Sequence, residues 1–225
     1  MKICKSLTIG ILLSVGFLHD LQVNAAVTEN TANKTDTKTK IQEGREYVTL
    51  VNPLVSQPNV IEFFSFYCHP CYLFIDSYPV SEAITRRLPD QKVVKYHVSV
   101  MGAMGNELTE AWAVAIVMGK TEQVEKPLFE AVRNKNMNSI DDIHSIFYQI
   151  GVDKEKYEST RQSLLVKEMV ARQNTAVDAF NVKSTPTFYI NGKYKINNSG
   201  IITTSPQAYV EGFVEVVDIL LKKGL

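Results

Sequence analysis

"FFSFYCHPCYLF", residues 63–74, is the stretch on which the reading of this chain turns. A run of aromatics leads straight into Cys68-His69-Pro70-Cys71, and the only other cysteine in the 225 residues is Cys4. Three chemistries compete for such a pair. A structural bridge between Cys68 and Cys71 would close a very small loop and remove little entropy from the unfolded chain, so it is a poor staple. A closed zinc site wants four ligands, typically from two such pairs. Here the remaining candidates, His69, His97 and His144, are not spaced as a second pair, so no metal is expected. A redox pair needs a thiol at a helix N-terminus, where free N–H groups and the helix dipole favour thiolate. It also needs a second thiol one turn on to resolve a mixed disulfide. "NVIEFFSF" (59–66) reads as a strand covered on both faces, and it delivers Cys68 to such a position. Pro70 fits the first helical turn, where its missing N–H is not needed. The redox reading is the strong one, and it requires no bound cofactor.

The rest of the chain supplies the context. With 45% hydrophobic and 21% charged residues the composition is that of a folded globular protein. Formal net charge is zero, so no global field favours nucleic acid or an anionic membrane. Met1 to Lys5 is a short cationic start, Leu7 to Leu18 is apolar and uncharged, and Val23-Asn24-Ala25 offers small residues for a signal peptidase. Residues 1–25 are therefore expected to be a cleaved signal peptide that removes Cys4 and exports the remainder to oxidising conditions. Residues 26–44, rich in Thr, Asn and Lys, read as a flexible lead-in.

Beyond that lead-in, "EYVTLV" (46–51) and "KVVKYHVSV" (92–100) are strand candidates, and about 68–88 is helical. A block of helices follows. Asn106 is the expected cap of the first and Gly119 its stop, and Pro127 is expected to open the next. Ser139 pairs with Asp142 in a capping box, and Asp153 caps a long helix with a break expected near its middle. "TPTFYING" (185–192) returns to strand with Asn191-Gly192 as a hairpin turn, and Ser205-Pro206 starts a final helix. The order β-β-α-β, helices, β-β-α implies an α/β domain interrupted by a helical insertion.

"IEFFSFYCHPCY", "KYHVSVMG", "ELTEAWAVAIVMG", "PLFEAV" and "TPTFYINGKY" together resemble the DsbA family of bacterial periplasmic thiol–disulfide oxidoreductases, from about residue 45 to the C-terminus. The resemblance implies a thioredoxin-like fold, with residues 45–101 and 178–225 forming that domain and 102–177 the inserted helical domain. It implies oxidation of exported polypeptides, reoxidation by a membrane-embedded, quinone-linked DsbB-like partner, and a monomer. Carried onto this sequence, Cys68 matches the exposed nucleophile and Cys71 the buried resolving thiol. Pro186 matches a cis-proline opposite the pair, Glu62 a buried acid beneath it that relays protons for Cys71, and Lys95 a nearby base. The dipeptide His69-Pro70 reverses the family's commonest Pro-His, and Thr185 stands where Val is familiar. Both departures bear on redox strength and substrate choice, and they keep two alternatives in view: a reductase or isomerase, and a peptide-binding chaperone.

Overall fold

The computed structural model describes residues 40–223. The expected signal peptide and most of the lead-in lie outside those residues. Five strands form one mixed sheet in the order β1-β5-β4-β2-β3. They are β1 (Tyr47–Thr49), β2 (Val60–Phe64), β3 (Val93–His97), β4 (Thr187–Ile190) and β5 (Tyr194–Ile196). β2 runs parallel to β3 and antiparallel to β4, which continues antiparallel through β5 to β1. All five residues of β2 are buried, as its unbroken apolar run requires. Asn191 and Gly192 both have positive φ (52° and 61°), the geometry a two-residue hairpin turn needs between β4 and β5.

Two short helices, α1 (His69–Asp76) and α2 (Val80–Arg87), connect β2 to β3. The chain then makes α3 (Gly105–Met118), α4 (Thr121–Arg133), α5 (Ile140–Gln149), α6 (Lys154–Arg161) and α7 (Leu164–Ala179) before re-entering the sheet at β4. Helix α8 (Pro206–Lys223) closes the chain, packing Phe213, Val217 and Leu220 with Phe188 and Ile190 of β4.

Two expected helix starts are corrected. α3 begins at Gly105 with Met104 as its N-cap, and Asn106 lies inside it. The reason is tertiary: Gly105 sits so close to the Ser99 carbonyl that a Cβ would collide with it, which fixes where the helix enters. Pro127 does not open α4 but lies within it. Burial of Val124, Leu128 and Phe129 on one face holds α4 together across the hydrogen bond the proline cannot make. The break in the long helix falls at Gln162–Ser163, and Ser163 caps α7 by accepting the Val166 N–H. Ser139 and Asp142 form the capping box.

A buried polar network joins the end of the sheet to the helices. His97 is fully buried. Its Nε2 accepts the Phe66 N–H at 3.2 Å, and its Nδ1 lies 2.7 Å from Thr109 Oγ1, which donates to the Gly105 carbonyl at 2.9 Å. The His97 N–H donates to Gln173 Oε1, and Gln173 Nε2 donates to the Thr109 carbonyl. Because Nε2 accepts, the ring proton sits on Nδ1. Trp112 is buried and donates its Nε1–H to the Lys95 carbonyl at 2.9 Å.

Burial pulls the His97 pKa down from 6.5 to about 3. The unfolded chain therefore binds this proton at a pH where the folded protein refuses it. Its contribution to stability is complete above about 6.5 and is lost as pH falls toward 3, at about 1.4 kcal/mol per unit. Urea denaturation at pH 7 and pH 4.5 should show a loss of which His97 supplies about 2.5 kcal/mol. His97→Gln should be less stable at pH 7 but should lose correspondingly less on acidification. An unchanged acid sensitivity in that variant would contradict the assignment.

Candidate active site

The buried strand β2 ends at Phe64, and the turn that follows is pinned from below. The Phe66 N–H is held by His97, and the Phe66 ring packs on Phe64, Trp112 and Phe129 with the nearest centroid 4.8 Å away. The chain then tightens: the Cys68 N–H donates to the Ser65 carbonyl at 2.9 Å, and the Cys71 and Tyr72 N–H groups both return to the Cys68 carbonyl. Cys68 is thereby the N-cap of α1, in extended conformation, and its Sγ accepts the Cys71 N–H at 3.2 Å. A sulfur in this position meets the positive end of α1, and no acidic residue occupies the first turn to oppose it. Pro70 sits in that turn, as its fixed φ allows.

Cys68 and Cys71 are joined by a disulfide, their Cα atoms 5.2 Å apart. Cys68 is 5% exposed and Cys71 1%. The nucleophile assigned by the resemblance is the more accessible of the two, yet it is recessed rather than open. Part of the cover comes from the segment entering β4. The Thr185–Pro186 peptide bond is cis, and Cys68 Sγ lies 3.3 Å from the Thr185 carbonyl oxygen. The Pro186 carbonyl accepts from Asn198 Nδ2 at 2.9 Å, and Thr185 Oγ1 lies 3.6 Å from Met101 Sδ. The Met101 loop is locked in turn: Tyr67 Oη accepts the Met104 N–H, and the Tyr67 ring lies so close to Gly102 (φ 74°) that any side chain there would enter it. Next to Met101, Val100 stands 85% exposed as apolar surface.

Deeper in the sheet lies a buried charge cluster. The parallel register places Glu62 directly beside Lys95, whose Nζ is 3.2 Å from Glu62 Oε2. Ser81 of α2 donates to the same carboxylate oxygen at 2.6 Å. Lys95 also pairs with Glu125 of α4 and lies over the Phe64 ring. Burial acts to lower the Lys95 pKa, but Glu62 and Glu125 outweigh it and hold the ammonium above its ordinary value. Burial pushes the Glu125 carboxyl up and the Glu62 charge adds to this, with Lys95 opposing. The cluster thus keeps two carboxyls around one cation. Lys95 and Glu125 line a groove of about 1050 Å³ shared by β3, α1, α2, α3, α4 and α7.

His69 is exposed at the first position of α1, and its Nδ1 lies 3.2 Å from Nη1 of Arg133 in the last turn of α4. Arg133, Glu125 and Ser81 escaped the sequence reading. Each reaches the site from another helix, and nothing in "VEKPLFEAVRNK" or "PVSEAI" marks these residues apart from an ordinary solvated helix face. His144 joins α5 to α6 through Glu158, with Asp141 of its own helix at the other ring nitrogen.

Comparison with known proteins agrees with this arrangement. A DSBA-like thioredoxin domain model matches residues 59–209. The thiol:disulfide interchange protein DsbA of Salmonella typhimurium is 40% identical over 186 residues, covering 82% of this chain and 90% of that protein. That of Yersinia pestis is 37% identical over 187 residues, with the same coverages of 82% and 90%. Among solved structures, Klebsiella pneumoniae DsbA is 41% identical with a TM-score of 0.78, covering 81% of this chain and 98% of that one. A Proteus mirabilis DsbA carrying a non-covalently bound peptide, PWATCDS, also has a TM-score of 0.78, at 38% identity and with coverages of 81% and 99%. Fold, redox pair and sequence coincide along most of the described chain, and the protein belongs to the DSBA-like thioredoxin domain family, as a thiol–disulfide oxidoreductase.

Proposed function

We propose that the protein works in the oxidising direction, introducing disulfides into newly exported polypeptides through Cys68 and Cys71. The observation that carries this reading is the placement of Cys68 Sγ as the N-cap of α1, 3.2 Å from the Cys71 N–H. Reduction creates a thiolate at that position, where the helix end stabilises it, so electrons are drawn from client to enzyme.

The step balances simply. A client thiolate attacks Cys68 Sγ, the Cys68–Cys71 bond breaks, and Cys71 leaves as a thiolate that takes up a proton. A second client thiol, giving up its proton, then attacks the client sulfur of the mixed disulfide. The client leaves oxidised, and Cys68 departs as thiolate. Thr185 presents its backbone beside Cys68 and Pro186 shapes that segment; the apolar surface at Val100 and Met101 suits an unfolded chain. The Glu62–Lys95–Glu125 cluster buffers the Cys71 proton. A quinone-linked membrane enzyme of the DsbB type returns the pair to its disulfide, and the protein acts as a monomer in the periplasm after its signal peptide is removed.

Mixing the oxidised protein with a reduced two-cysteine peptide should give one peptide disulfide per protein. Cys68→Ser and Cys71→Ser should each abolish the transfer, because either leaves no Cys68–Cys71 disulfide for the peptide thiolate to attack. Transfer only in the reverse direction would favour a reductase. Undiminished action of Cys68→Ser on client folding would favour the chaperone reading.

Glu62→Gln should slow the release of Cys71 several-fold at pH 7 while leaving the protein folded, because the uncharged amide cannot exchange a proton. Stopped-flow fluorescence checks this. An unchanged rate across pH 5–8 would remove Glu62 from the mechanism.

A further inference from the structure

Arg133 reaches the redox loop from a different part of the fold, and its contacts there are specific. Its Nη1 approaches His69 Nδ1 at 3.2 Å, and its guanidinium carbon lies 3.9 Å from the centroid of the Tyr72 ring. Arginine has donors only, so Nδ1 of His69 must be the acceptor, and the imidazole proton is assigned to Nε2. Stacking on Tyr72 fixes the plane of the guanidinium, and the bond to His69 fixes its azimuth. Among the described residues Arg133 has no carboxylate partner. Asp76, the acid at the far end of α1, is taken by Lys126 at 3.1 Å. In sequence, Glu130 lies three residues before Arg133 on α4, and Lys135 two residues beyond it.

Position in the helix gives the contact its meaning. Arg133 is in the last turn of α4, so the end of α4 that faces the redox loop is its negative end. Left bare, those carbonyls would oppose a negative charge on Cys68. A guanidinium placed there reverses the sign of the local field, and it does so without titrating, since arginine stays charged at any working pH.

We propose that Arg133 is a positioning residue of the redox site: it orients His69 through Nδ1 and serves as the fixed cation that stabilises the Cys68 thiolate. This rests on the redox reading of the Cys68–Cys71 pair. It also offers a physical role for the His69-Pro70 order, which puts the imidazole at the first position of α1 where α4 can reach it. A histidine cation would lose its effect as pH rises through its own titration; the arginine does not, so thiolate stabilisation persists at neutral and mildly alkaline pH.

The test is the titration of Cys68 in the fully reduced protein, followed by thiolate absorbance at 240 nm, for wild type, Arg133→Gln and Arg133→Lys. Arg133→Gln should raise the Cys68 pKa by about 0.5–1 unit and shift the equilibrium with glutathione three- to ten-fold toward the disulfide. Arg133→Lys should recover more than half of the pKa shift. In 1 M salt, where charges screen over about 3 Å, the difference between wild type and Arg133→Gln should shrink. A Cys68 pKa unchanged in Arg133→Gln, or Lys and Gln variants that behave alike, overturns the proposal. The titration uses no client, so failure of the oxidase reading would appear separately, as wild-type protein unable to oxidise a reduced peptide.

Discussion

The structure is organised around one hydrogen bond, from the Cys71 N–H to Cys68 Sγ at the start of α1. A sulfur is an unusual cap. Serine, threonine, asparagine or aspartate would satisfy the helix end more strongly, and all are chemically inert there. Cysteine fills the position because its capping strength changes with redox state. As part of a disulfide it is a weak, neutral acceptor; as a thiolate it is a charged one, and charge-assisted hydrogen bonds are roughly twice as strong as neutral ones. The helix end therefore favours the reduced state, and that preference makes the pair an oxidant.

Much of the remaining fold keeps that sulfur in place. β2 is buried throughout and cannot slide without exposing Val60 to Phe64. Phe66 is held by His97, which is held by Thr109, which is held by Gly105, so the redox loop and the start of α3 form one connected network. The helices between β3 and β4 are more than a cover. They supply Trp112 to the β3 backbone, Glu125 to the buried cluster and Arg133 to the redox loop. The electrostatics of the site come from both parts of the chain.

What was legible in the sequence follows from which interactions are local. The continuous apolar run of β2, the proline in the first turn of α1, the Ser139–Asp142 capping box and the Asn191-Gly192 turn are each decided within a few residues, and each was readable. The start of α3 was not, because the Ser99 carbonyl decides it rather than the capping preference of Asn106. Pro127 looked like a helix start because proline prefers that position, but burial of Val124 and Leu128 on either side overrides the preference. Glu62 and Lys95 could be paired only by assuming that their strands are neighbours. Ser81, Glu125 and Arg133 were invisible: their roles arise when helices distant in sequence converge, and Arg133 is 64 residues from the histidine it contacts. The cis bond before Pro186 was suggested by resemblance alone, since local chemistry favours trans.

The claim that the helix N-terminus prefers the reduced pair is tested most directly by melting the oxidised and reduced forms side by side at pH 7. A Cys68 thiol held well below its unfolded pKa contributes stability that is complete above the unfolded value and vanishes as pH falls through the folded one. Each kcal/mol of such stabilisation raises Tm by about 2–4 °C for a domain of this size. The bridge itself opposes the shift only weakly, because the loop it closes is so short. The account requires the reduced protein to melt higher, with the gap closing in acid as Cys68 is protonated. An oxidised form that melts higher at pH 7 would contradict it.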